Sequence, residues 1–239
     1  MPKPDPKILA RAFDLPPEQA IAYLQSKGIE VSWNWQEVVD EAAQQSFTVA
    51  KAMKMDVLQD IRGAVETALQ KGETFTEFQR KIAPTLRAKG WWGKDAAGNQ
   101  LGSPHRLKTI YRTNLQGSYN AGRWKAQQET ANSFPWLEYV AVVDPSTRTT
   151  HAAMDGFIAR ADDPIWNTIY PPNGFQCRCR VKNISAQEAA SRGGASPKSQ
   201  IPPGFPDDGF RSGPGLANWT PIREDYDPDI FTAGEADDT

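Results

Sequence analysis

The 239-residue chain is 39% apolar and 23% charged, so it can bury a real core in one sizeable domain or two small ones. No apolar run reaches membrane-spanning length, and no hydrophobic stretch follows Met1-Pro2-Lys3-Pro4-Asp5-Pro6, so neither a span nor a signal peptide is expected. The net charge of −2 is uneven: from Asp207 onward nine acidic residues face Arg211 and Arg223, a balance of −7 that leaves +5 on the remainder, too little to indicate nucleic-acid binding by itself.

In chain order, Pro16-Pro17-Glu18 opens a first helix with Ala20, Ile21 and Leu24 inward, and Gly28 stops it. Asn34 and Glu37 resemble a capping box, and Val38, Val39, Ala42, Ala43, Phe47 and Ala50 recur behind them at helical spacing. Leu58, Ile61, Val65, Ala68 and Leu69 carry a further helix to Gly72. Thr74 and Glu77 cap the next one, which Pro84 is expected to limit. Trp91 to Asn99 reads as a loop.

Ser103-Pro104 starts a long helix running to about Thr130, with Leu107, Ile110, Tyr111, Leu115 and Ser118 inward. Gly117 and Ala121, four apart, allow another backbone to come close. Leu137 to Val143 is the clearest strand, closed by Asp144-Pro145, and Arg178 to Ile184 is a second. A short helix follows Ser185. From Ser191 the chain turns rich in Pro and Gly, with scattered anchors at Phe205, Phe210, Leu216, Trp219, Tyr226, Ile230 and Phe231. It reads as an extended arm lying on a partner or across its own body, and open to protease. No internal repeat is visible.

The chemistry concentrates between Asp144 and Cys179. Two cysteines one residue apart make no disulfide framework, which suits a reducing cytosol. On a strand Cys177 and Cys179 face one side, so both sulfurs can reach one ion. His151 and Asp155 share a face if their segment is a helical turn. His151, Asp155, Cys177 and Cys179 are therefore candidate zinc ligands. The competing reading is two small buried hydrophobes with His151 and Asp155 in a hydrogen-bond network. Asp144, Arg148 and His151 suggest acid–base chemistry, but no convincing nucleophile or phosphate loop accompanies them, which favours a structural network. Arg112, Asn114 and Arg123 on the long helix can bond to this cluster or face water. Trp33, Trp35, Trp91 and Trp92 stand beside charged residues, which favours contact with a partner.

An ordered set of segments resembles a known family. It comprises Arg106-Leu107-Lys108-Thr109-Ile110-Tyr111-Arg112-Thr113-Asn114, Tyr119-Asn120-Ala121-Gly122-Arg123, Thr147-Arg148-Thr149-Thr150-His151 with Asp155-Gly156, and Asp163-Pro164-Ile165-Trp166. It closes with Pro171-Pro172-Asn173-Gly174-Phe175-Gln176-Cys177-Arg178-Cys179. Together they resemble the phage Mu protein F-like head morphogenesis proteins, minor capsid proteins of tailed phages and Mu-like prophages. The resemblance covers about residues 103–185, and Pro16 to Leu24 and Gly90 to Gly93 resemble the family too. It implies a structural role without catalysis, in the host cytoplasm during assembly and in the virion head. The implied partners are portal protein, major capsid or scaffold protein, and packaged DNA, with links to packaging or ejection.

The expected fold is α+β. A helical region over 1–102 leads into a head-morphogenesis core over 103–185, one long helix on a small sheet. An extended acidic tail follows over 186–239. Arg112, Asn114, Asp144, Arg148, His151, Asp155, Cys177 and Cys179 form the expected structural cluster, with zinc as the candidate cofactor. Two rival functions are a zinc enzyme using His151, Cys177 and Cys179, and a nucleic-acid module using Arg112, Arg123, Lys125, Arg178, Arg180 and Lys182.

Overall fold

A computed structural model of the protein describes residues 18–38 and 40–213. The tail anchors Leu216, Trp219, Tyr226, Ile230 and Phe231 lie outside the described residues. The fold is α+β. Helix α1 (Glu18–Ser26) is followed by β1 (Gly28–Ile29), a 3-10 turn at Trp35–Glu37, α2 (Asp40–Gln45) and β2 (Ser46–Phe47). Then come α3 (Met55–Lys71), α4 (Phe75–Ala88) and the long α5 (Pro104–Glu129). The remainder is β3 (Trp136–Val140), α6 (Thr149–Ala153), β4 (Ile158–Arg160), α7 (Trp166–Ile169), β5 (Arg180–Ile184) and α8 (Ala186–Ser191).

The apolar stripe of α3, Leu58, Ile61, Val65, Ala68 and Leu69, is fully buried. Gly72 ends that helix at φ 62°, a left-handed cap whose N–H bonds Ala68 O. Thr74 starts α4, its hydroxyl accepting from Glu77 N–H while Glu77 accepts from Thr74 N–H. Helices α1, α3, α4 and the first half of α5 close around one core with Phe47, Phe78, Leu86 and Trp91. Gly122 of α5 lets α1 come close: a Cβ there would lie 3.2 Å from Ala20 N.

Three sequence expectations are corrected here. The helical spacing from Val38 to Ala50 does not make one helix. Glu37 accepts from the N–H groups of Trp33 and Asn34, but only a single 3-10 turn follows. After α2 the chain turns extended, and Ser46–Phe47 pairs in parallel with Gly28–Ile29. Pairing with β1, which buries Ser46 and Phe47 together, prevails over the helical spacing. Pro84 does not end α4, which runs on to Ala88. It withholds one backbone donor, but the buried Ala83 and Leu86 hold the helix through it. Trp91 and Trp92 are not a free surface. Trp91 is buried, donates from Nε1 to Lys51 O at 2.8 Å and lies under Arg106, while Trp92 packs on the same core beneath Arg87.

The second core belongs to an antiparallel sheet in the order β4-β3-β5. Its registers pair Leu137 with Ala159 and Tyr139 with Val181. Since β5 is an edge, its outer carbonyls need partners. Amide side chains of α5 supply them: Gln116 and Asn120 donate to Cys179 O at 3.0 and 3.4 Å, and Gln127 donates to Val181 O at 2.9 Å. Tyr170 hydroxyl donates in turn to Gln127 Oε1 at 2.8 Å.

The described part of the tail lies across this core. Ser196 exchanges hydrogen bonds with Ile158, Phe205 is buried against Tyr139 and His151, and Gly213 N–H bonds Asn167 O. Among the described residues no helix is long and apolar enough to cross a membrane.

Candidate functional site

The approach to β5 alternates strictly. Cys177, Cys179 and Val181 point inward, while Arg178 and Arg180 face out. This is the period of two that places both sulfurs on one face. Opposite them, α6 carries His151 inward. His151, Cys179 and Cys177 are only 2%, 3% and 5% exposed. His151 Nδ1 lies 3.7 Å from Cys177 Sγ and 3.7 Å from Cys179 Sγ. The ligand-type atoms of these three residues all fall within 4.8 Å of one another. On the far side of the ring, Nε2 points toward Asp207 Oδ1 at 3.6 Å, too long for a hydrogen bond, and has no other partner. Phe205 meets the imidazole edge-on at 5.3 Å.

The thiols are electrically unequal. Donation from Cys177 pulls the Cys179 thiol down to about 5 against the opposing effect of burial, with His151 and Tyr139 adding to the pull. Donation toward Cys179, together with burial, pushes the Cys177 thiol well up. Burial first, then the neighbouring sulfurs, pushes the Tyr139 phenol far up. That phenol donates to Asn173 Oδ1 at 2.8 Å. The floor of the site is a buried Tyr139–Asn173 pair beside the two sulfurs.

The other sequence candidates take different places. Asp155 does not join the ring of ligand atoms. Helix α6 ends at Ala153, so the four-residue spacing from His151 no longer holds them on one face, and Asp155 Oδ1 instead accepts from Ala141 N–H at 2.9 Å. Asp144 pairs in a fork with Arg178, both contacts 2.6 Å, and bonds from this guanidinium hold its carboxyl well below the usual range. The Asp144–His151 couple required for acid–base chemistry is therefore not made. Arg148 donates to Phe175 O at 2.8 Å and lies 3.4 Å from Asp207. Arg112 reaches Gln176 Oε1 at 3.3 Å, at the rim of the cluster. Asn114 donates back to Ile110 O of its own helix.

The basic residues offered for nucleic acid are in part committed elsewhere. Arg178 holds Asp144, Lys182 holds Glu138 at 2.9 Å, and Arg123 donates to Asn120.

Tyr139, Asn173 and Asp207 complete the site without having been singled out. One signal was available for Asp207. A Cβ on Gly174 would collide with its carboxylate, so a glycine just ahead of the cysteines marks where another segment crosses. The amides Gln116, Asn120 and Gln127, spaced four and seven apart, also formed a legible polar line on one helix face.

A separate cavity of about 360 Å³ lies between the helical core and the 172–175 loop, lined among others by Lys27, Trp35, His105, Arg106, Phe175 and Phe210. None of the three cluster residues lines it. Trp35 and Phe175 of its lining are partly exposed, as is the neighbouring Trp33, with Trp35 edge-on to Phe175 at 5.6 Å.

Comparison with known proteins bears on this arrangement. The family model of phage Mu protein F like protein matches residues 59–182, just over half of the chain. Protein F of Escherichia phage Mu, whose name provisionally assigns it to capsid assembly, is 48% identical over 186 residues, 74% of this chain and 42% of that protein. The Mu-like prophage FluMu F protein of Haemophilus influenzae is 48% identical over 169 residues, 69% of this chain and 41% of its own length. The chain thus spans less than half the length of the curated relatives it matches. No solved structure matches it.

Proposed function

The chain belongs to the phage Mu protein F-like family, and from that membership we propose that it serves capsid assembly as a minor structural component of the head of a Mu-like phage or prophage, and not as an enzyme. The 48% identity over 186 residues to protein F of phage Mu carries this reading. The architecture supports it. The histidine–cysteine cluster is buried and lies away from the cavity, as suits a device that ties loops to a scaffold. Within the chain we assign 103–185 to the head-morphogenesis core, 1–102 to a helical region and 186–239 to the tail.

The partners we propose are the portal protein and the major capsid or scaffold protein, with packaged DNA as a further contact and a contribution to packaging or ejection. The protein acts in the host cytoplasm during assembly and in the head. Exposed Trp33, Trp35 and Phe175 suit protein contact, since large aromatics anchor interfaces at small entropic cost. The test is a Mu-like phage carrying a stop codon in this gene. Lysates should lack DNA-filled heads by electron microscopy, and complementation should restore them. In co-expression with portal protein, the wild-type chain should co-elute, and Trp33→Ala/Trp35→Ala should co-elute less while melting like wild type. Normal numbers of filled, infectious heads without the gene would remove the assembly role.

A further inference from the structure

The unexplained feature of the second core is one imidazole nitrogen set equally, at 3.7 Å, from two buried sulfurs. With Cys177 donating to Cys179, hydrogen bonding asks for one nitrogen–sulfur contact, to Cys179, and gives no reason for an equal distance to Cys177. A shared ion accounts for both. Zinc bonds sulfur at about 2.3 Å and imidazole nitrogen at about 2.0–2.1 Å, and tetrahedral angles then put nitrogen and sulfur about 3.6 Å apart. The observed separations match that edge.

The opposite side of the ring gives an independent sign. His151 Nε2 is buried with no hydrogen-bond partner, and the nearest charged group, Asp207 Oδ1, stands 3.6 Å away. Metal-binding histidines characteristically donate their second ring N–H to a carboxylate, which fixes the tautomer and turns the other nitrogen to the ion. Gly174 leaves room for that carboxylate, and Arg148 flanks it at 3.4 Å.

We propose that His151 Nδ1, Cys177 Sγ and Cys179 Sγ bind one zinc ion, with Asp207 as the carboxylate that orients His151 from behind. Among the described residues no further His, Cys, Asp or Glu joins the three; in the proposed site a water would take the fourth position. The ion would join three segments far apart in sequence: α6, the approach to β5, and the tail through Asp207. Its role is to close the fold, because metal-binding energy becomes folding energy. The proposal stands apart from the assembly role and can fail without it.

The test uses the untagged full chain and zinc itself. Elemental analysis of purified protein should find close to one zinc per chain, and a chelator should lower the melting temperature, with added zinc restoring it. Cobalt put in place of zinc should give a thiolate-to-metal charge-transfer band and tetrahedral visible bands. Cys177→Ser and Cys179→Ser should each weaken or remove the charge-transfer band. Asp155→Asn should keep full zinc content, and Asp207→Asn should keep the band while binding zinc about 10–100-fold more weakly. The cobalt spectrum of the wild-type chain needs no variant to fold. Zinc-free protein whose thiolates give no cobalt band would overturn the site. So would zinc content that survives loss of both cysteines. Unchanged zinc affinity in Asp207→Asn would overturn the part given to that carboxylate.

Discussion

Glu138 shows how single residues carry charge inside this fold. Its carboxylate is buried on β3, while Arg192 at 2.5 Å and Lys182 at 2.9 Å reach it from the surface. Burial pushes its pKa up, but bonds from Arg192 and Lys182 outweigh that and leave it lowered. A depressed carboxylate stabilises the fold above its unfolded value near 4.5, and that stability is lost as pH falls through the lower folded value. Glu138→Gln should therefore cost about 1–2 kcal/mol at neutral pH, the worth of a charged hydrogen bond discounted for partly exposed partners. Urea melts across an acid series should show the gap to wild type closing. A gap that stays constant into acid would show that the charge contributes nothing. At Gly174, alanine should displace Asp207 and lower the melting temperature, whereas alanine at Gly98, which meets open space but sits at φ +82°, should cost only backbone strain. Sequence made His151, Cys177 and Cys179 legible because alternation on a strand is a local rule. It misplaced Asp155 because the four-residue rule assumes a helix that outlasts its fourth residue. It left Asp207 unnamed: Gly174 marks that a segment crosses there, but which segment is fixed by the tail's path over the core.

At the scale of elements, strong local signals read true. Ser103-Pro104 caps α5, with the Ser103 hydroxyl accepting from Arg106 N–H, and the strand expected over 137–143 forms as β3, though it stops at Val140 and leaves Val142 and Val143 exposed. The segment from Val38 to Ala50 read false because tertiary pairing with β1 prevailed over its helical spacing. The contact of α5 with the edge strand was written in amides, which hydrophobic patterning overlooks. Gln127 is the centre of that contact, donating to Val181 O and accepting from Tyr170. Gln127→Ala should cost about 2–3 kcal/mol, since it strands a buried carbonyl and a buried hydroxyl together. Lys125→Ala, exposed on the same helix, should stay within about 0.5 kcal/mol. Chemical denaturation compares the two, and equal losses would show that the amide line is decoration.

For the whole molecule, two cores share α5, its first half in the helical core and its second half on the sheet. The tail segment to Gly213 acts as a third layer, with Phe205 as its apolar anchor. Phe205→Ala should cost about 3 kcal/mol, near the low end for a buried phenylalanine because the ring keeps slight exposure. Hydrogen exchange should then rise first over 196–213 and at His151, ahead of the helical core. Uniform exchange across both cores would show that the tail is not a separate layer. Composition identified this segment as poor in periodic burial, correctly, but could not tell whether its few anchors met a partner or the chain's own body.

The line of amides on α5 has a consequence for how the chain matures. A ribosome delivers α5 well before β5, and Gln127 must wait for Val181, 54 residues later. Until then the second half of the helix presents polar donors to water, where they are satisfied, in place of a greasy face that would invite association. The nascent protein thus carries a solvated docking strip while the helical core, complete once α5 itself has emerged, closes first. A chain halted just after Glu129 therefore shows amides on that face, because the apolar residues of the second core, Leu137, Tyr139, Phe157 and Trp166, have yet to be made.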